Sequence, residues 1–267
     1  MRQSLLNEVT KKGLQTWLKN REYKKLYFPN FFPTKSNPDL KFETLIGDQK
    51  ARVVADVTSY NSPAPLKSRP AVNTVTGKIP SIRVKREMSE EDIYHYETLK
   101  NRATADQKEI LDLVYKDVDF VVESVRGRME WFAMQALSLG KVDITSNNNK
   151  MPTKYTVDFQ IPSEHKQTVD TVWSDTDNST PIDDIDAIVE QVMDEGYNLK
   201  YMLMNRKTFN RFRKSQDVMD FVAPYALYGG TRERRAPSLK VINEALREDD
   251  KPEIVVIDSS VGIEAPD

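Results

Sequence analysis

Three carboxylates, Asp183, Asp184 and Asp186, crowd into the short run TPIDDIDAI. Such a cluster could hold Mg²⁺ or act as an acid/base pair, which is the chemistry of a metal-dependent hydrolase. The same residues follow Thr180 and Pro181, a helix-start signature, and acids in a first helical turn are stabilised by the positive end of the helix dipole. The two histidines, His95 and His165, have no second His or Cys at ligand spacing and no nucleophile motif around them, so a structural or solvated role is expected. With no Cys in the chain there is no thiolate metal site, disulfide or cysteine nucleophile. No glycine-rich phosphate loop occurs; Gly229 and Gly230, followed by Arg232, Arg234 and Arg235, are the one candidate anion nest and read better as a surface loop. No cofactor is expected, and the chain is expected not to be an enzyme.

Basic and aromatic residues suggest a different chemistry. Lys11, Lys12, Lys19, Arg21, Lys24 and Lys25 interleave with Trp17, Tyr23, Tyr27 and Phe28, a pattern that could contact phosphates and stack on bases. Yet the 267 residues carry 39 Lys+Arg against 41 Asp+Glu, a net charge of -2. Residues 1–41 hold a balance of +6 and the remainder -8, so any nucleic-acid contact would be local and nonspecific. The apolar runs are too short for a membrane span, and MRQSLLNEVTKKG lacks the apolar core of a signal peptide, so a cytosolic start is expected.

The elements that must position these residues are unequal in kind. After the arm, residues 47–88 predict a long hairpin: alternation at 52–57 and again at 82–85 marks two strands, joined by a proline-rich tip. Two strands alone are marginal in water, so this ribbon needs a covering surface. From Asp106 to Gly140, Ile110, Val114, Val118, Val121, Val125, Met129, Phe132, Ala136 and Leu139 recur at helical spacing, predicting one uninterrupted rod about 50 Å long. Residues 153–161 alternate as a strand. Beyond them, helices opening at Pro181, within 205–215 and within 238–248 alternate with strands at 199–204 and 253–258, the pattern of a compact α/β lobe.

An arm, a projecting ribbon, a long helix and a compact lobe suit a subunit that buries its projections on copies of itself. YTVDFQIP (155–162) and TVDTVWSDTDNSTPIDDIDAI (168–188), with FFPT (31–34) before them and ALSLGKV (136–142) ending the rod, resemble the major capsid proteins of tailed bacteriophages. The likeness is to the lambda-type E family with the Hong Kong 97-like shell fold, and it covers nearly the whole chain. Asp158 and Phe159 match the family's strand end, Trp173, Ser174 and Asp175 its middle segment, and Pro181, Asp183, Asp184 and Ile185 its helix opening.

That resemblance implies an α+β fold divided into an N-terminal arm (1–46), an extended E-loop hairpin (47–88), a peripheral domain with the spine helix (89–160) and an α/β axial domain (161–267). Family members continue past SSVGIEAPD with strands that return to the peripheral sheet, so those strands are expected to be missing here. The implied role is the shell subunit of an icosahedral head around double-stranded DNA, assembled as pentamers and hexamers. Scaffolding, portal and decoration proteins would be its partners, and the virion its location, after assembly in the host cytoplasm. Arg52, Lys67, Arg69, Arg83, Lys85 and Arg86 on the ribbon are the candidates for meeting an acidic surface of an adjacent copy at Glu90, Glu91 and Asp92. A nanocompartment shell of encapsulin type, binding cargo protein instead of a genome, is the alternative of the same architecture. The metal-dependent hydrolase is the alternative of another class.

Overall fold

The computed structural model describes residues 11–47, 72–87, 89–101, 107–151, 154–226 and 236–263. It mixes helices and strands, and it divides into two compact units. The first takes the described residues of Met1–Phe42, Gly77–Gln160 and Ser259–Asp267; the second takes those of Glu43–Thr76 and Ile161–Asp258.

The first unit is organised by a single 33-residue helix. The arm brings α1 (Lys11–Asn20) and the one-turn α2 (Phe28–Phe31), and α3 (Glu90–Asn101) precedes the spine, α4 (Gln107–Leu139). Its end at Leu139 lies within a residue of the one expected from the apolar period, because an unbroken run free of proline has no competing conformation. Gly140 stops it with a φ of 67°, a conformation that costs a side-chain-bearing residue about 1 kcal/mol, and the Gly140 N–H still reaches the Ala136 carbonyl at 3.0 Å. Immediately after, β3 (Lys141–Ile144) pairs antiparallel with β4 (Tyr155–Asp158), Val142 opposite Val157 and Ile144 opposite Tyr155. Val142, Ile144 and Val157 are buried, and Asn148 closes the turn by donating to the Asp143 carbonyl and accepting from the Thr145 amide.

The ribbon differs from its expected form. Its two paired strands are β1 (Lys41–Gly47) and β2 (Val72–Lys78), not 82–85. At 81–85 burial still alternates, with Ile82 and Val84 half-buried between exposed residues, but the backbone is not in a sheet. Alternation there reports half-buried side chains and, among the described residues, no strand pairing. The expected strand at 52–57 lies outside the described residues. Within the ribbon, a Cβ at Gly77 would stand 2.7 Å from the Phe42 ring, so a larger residue there would have to displace that ring.

Among the described residues of the second unit, four α-helices pack with a two-stranded parallel sheet. They are α5 (Pro181–Asp194), α6 (Arg206–Phe212), α7 (Gln216–Ala226) and α8 (Leu239–Glu248), and the sheet is β5 (Tyr201–Asn205) against β6 (Glu253–Ile257). Phe209, Phe212, Val218, Ile242, Leu246 and Ile254 are among its most buried apolar side chains, each 2 % exposed or less and each contributing about 1.5–3 kcal/mol. Pro181 opens α5 at its first position. Gly196, with φ 86°, ends it in a Schellman motif, the Tyr197 N–H reaching the Val192 carbonyl at 2.9 Å. Neither α3 nor α7 was expected from the sequence.

Candidate functional site

The spine carries a second stripe that the apolar period conceals. Asp119, Glu123, Arg126 and Glu130 recur at steps of four, three and four, so they share one face of α4. Along that face the arm runs in the same direction as the helix. The Trp17 indole stacks on Tyr115 with ring centres 4.6 Å apart and donates its N–H to Asp119 at 3.0 Å; Arg21 reaches the other oxygen of the same carboxylate at 3.2 Å. Arg126 lies over the Tyr23 ring at 4.7 Å. Burial pushes the Tyr23 hydroxyl above its ordinary pKa; Asp119 adds to the rise, while Arg126 and Arg21 oppose it. Finally the amides of Tyr27 and Phe28, the first of α2, point at the carboxylate of Glu130, with the Phe28 bond at 2.7 Å.

The arm could lie over its own domain or bury its apolar residues on adjacent copies, and this geometry favours the first. Its aromatic residues Trp17, Tyr23, Tyr27 and Phe28 are engaged by its own chain, so they are not presented for base stacking, and they need no adjacent copy to cover them. Lys19, Lys24 and Lys25 remain on the exposed side. The sequence signal for this seat was present as charges at helical spacing on the spine, but polar periodicity is usually a solvated face and so draws no attention.

The candidate ribbon cations have separate fates. Arg83 is exposed and donates to the Ser81 hydroxyl at 2.8 Å; Lys85 pairs with Glu87, whose carboxyl it holds below its ordinary pKa. Arg86 is committed to the spine, 3.2 Å from Asp117 and stacked over the Phe120 ring at 4.7 Å. Arg52, Lys67 and Arg69 lie outside the described residues. Glu90, Glu91 and Asp92 form the first turn of α3, where they complement the dipole. Ser89 and Asp92 cap that turn reciprocally: the Asp92 amide donates to the Ser89 hydroxyl, and the Ser89 amide donates to the Asp92 carboxylate, both at 3.1 Å. The Ser89 hydroxyl also donates to that carboxylate at 2.7 Å, and this bond first, with the Ser89 amide second, holds the Asp92 carboxyl below its ordinary pKa. Glu90, Glu91, Tyr94 and His95 remain exposed on this helix, with Tyr94 75 % exposed.

The motif residues build local structure in their own units. Asp158 accepts from the Gln160 amide at 2.8 Å, which supports the positive φ of Gln160, and the Phe159 amide bonds the Gly140 carbonyl at 2.9 Å. Trp173 packs on Phe212 and donates to Asp184 at 2.8 Å; Asp175 holds the side chain of Asn178; Ser174 is exposed; Pro181 and Ile185 are buried. The aspartates at the start of α5 diverge, because Asp183 is exposed, Asp184 serves Trp173 and Asp186 pairs with Lys251 at 2.5 Å. Among the described residues no group of three or more His, Asp or Glu is placed to hold a metal ion. His165 stands 2.6 Å from Glu195, and the glycine–arginine run at 229–235 lies outside the described residues. Among described residues, no helix is long and apolar enough to cross a membrane.

Comparison with known proteins matches residues 22–234 to the family described as phage major capsid protein E. A search of curated proteins finds no match. The matched span takes in the arm from Glu22 onward, the ribbon, the spine and most of the second unit, and on that basis the chain belongs to the phage major capsid protein E family and is a structural protein of the virion shell.

Proposed function

We propose that the chain is the repeating subunit of an icosahedral head that encloses double-stranded DNA, with the Hong Kong 97-like arrangement of arm (1–46), E-loop (47–88), peripheral domain (89–160) and axial domain (161–267). The observation that carries this reading is the family match over residues 22–234. The long α4 rod ending in a short hairpin, the separate α/β unit and the ribbon support it, since each is an element that such a subunit requires. Pentamers and hexamers are the proposed assemblies, with scaffolding, portal and decoration proteins as partners. Virion localisation follows from the family, and assembly in the host cytoplasm is part of the proposal.

Between copies, Arg83 is the candidate cation best placed to leave its own chain, because among the described residues its exposed side chain bonds Ser81 and no carboxylate, and the exposed Glu90 and Glu91 are its proposed counter-charges. Ion pairs at a wet rim are individually worth about 0–1 kcal/mol, so their contribution is register more than affinity. The test is charge exchange. Arg83→Glu should reduce the yield of closed particles severalfold without lowering the subunit's melting temperature, and adding Glu91→Arg should restore part of that yield. If Arg83→Glu assembles as the unaltered protein does, this contact is wrong. Nuclease-protected DNA inside purified particles supports the genome-enclosing role; particles that hold only protein support a nanocompartment.

A further inference from the structure

One carboxylate receives segments from both ends of the first unit. Glu130 is 1 % exposed, and besides the amides of Tyr27 and Phe28 it accepts the Ser259 hydroxyl at 2.7 Å. Ser259 lies two residues past the end of β6, and the stretch it opens lies along the spine: a Cβ on Gly127 would be 3.4 Å from Val261 Cγ1. The two amides and the hydroxyl are neutral groups, so they share the stabilisation of a buried negative charge. A buried carboxylate that loses one donor must be rehydrated, and water donating to its oxygens competes with the donors that remain.

We propose that Glu130 is a shared latch, which makes the seating of the arm at Tyr27–Phe28 and of the return segment at Ser259–Val261 energetically coupled. Coupling of this kind is reciprocal, so releasing either segment loosens the other. Within the proposed shell the device has a use, because a second copy that captures the return segment would also free the arm. That use rests on the shell reading; the latch itself does not.

The test is residue-resolved amide exchange on the full chain, aimed at Tyr27 and Phe28. Gly127→Leu puts a large side chain where Val261 packs, and it also improves the helix propensity of α4, so a loss of protection cannot come from a weakened helix. Gly127→Ala adds only a methyl that fits beside Val261. Exchange at Tyr27 and Phe28 should quicken about tenfold in Gly127→Leu and in Ser259→Ala, as expected for loss of one hydrogen bond to a charged group, and should not quicken in Gly127→Ala. Unchanged exchange in Ser259→Ala overturns the latch, whatever Gly127→Leu does. Coupled exchange in a chain that never forms particles would keep the latch and remove the shell reading.

Discussion

Single side chains in this protein settle questions that charge alone leaves open. Arg86 looks like a ribbon cation in the sequence, but Asp117 and Phe120 engage it, so reversing its charge would disturb the subunit itself and a clean assembly test must use Arg83 alone. Asp217 is a second case. Its carboxylate accepts the Ile182 amide at 2.8 Å and so caps α5 from outside, where Thr180 makes no side-chain cap bond. Burial pushes the Asp217 carboxyl above its ordinary pKa; the Ile182 amide opposes the rise, and Asp183, Asp184 and Asp220 add to it. An acid with a raised folded pKa contributes most below its unfolded pKa, and that contribution is lost as pH rises through the folded value. Asp217→Asn keeps an acceptor oxygen without the charge, so its melting temperature should equal or exceed that of the unaltered protein near neutral pH and lose this part of the pH dependence. Asp217→Ala frees the amide and should cost about 1 kcal/mol across the range. An Asn variant that melts as low as the Ala variant at neutral pH would contradict the assigned sign.

At the level of elements, the parallel pair β5–β6 shows how a small sheet is finished. The Glu253 amide faces β5, bonding the Lys200 carbonyl, so the groups of Ile254 face the opposite edge; there the Asn243 side chain accepts the Ile254 amide at 2.9 Å and donates to the Ile254 carbonyl at 3.0 Å. One amide on α8 thus replaces a third strand at this residue. Asn243→Ala should lower the urea stability of the second unit by roughly 2–4 kcal/mol through two unpaired buried groups, and a change below about 0.5 kcal/mol would show that water substitutes at no cost. What the sequence disclosed follows from the same physics. The spine and α5 were legible because a long 3.6-residue period and a Pro181–Gly196 frame have few alternatives. In contrast, β2 reads as a turn, since Val72–Lys78 carries polar residues and a glycine inside a proline-rich stretch, and α7 is masked by Pro224 within it. The helix α3 is highly charged with a weak apolar stripe, so only its Ser89–Asp92 capping pair announces it. As for the seat of the arm, its polar partners lie about a hundred residues from it in sequence, a separation no local pattern can register.

For the whole molecule, the resemblance found in short motifs and the family match over residues 22–234 lead to the same role, while the structure revises how the pieces are used. The arm from Trp17 to Phe28 is seated on its own spine by Asp119, Arg126 and Glu130, so Trp17, Tyr23, Tyr27 and Phe28 are engaged within the chain itself. Association must then draw on other surfaces, among them the exposed first turn of α3 and Arg83. The central claim is that this chain builds a closed shell from copies of itself. Electron microscopy of the purified full-length protein, across concentration and ionic strength, tests it most directly. A shell subunit gives hollow, closed particles of uniform diameter built from five- and six-fold clusters. Monodisperse single subunits under every condition, or open aggregates without such clusters, would contradict it.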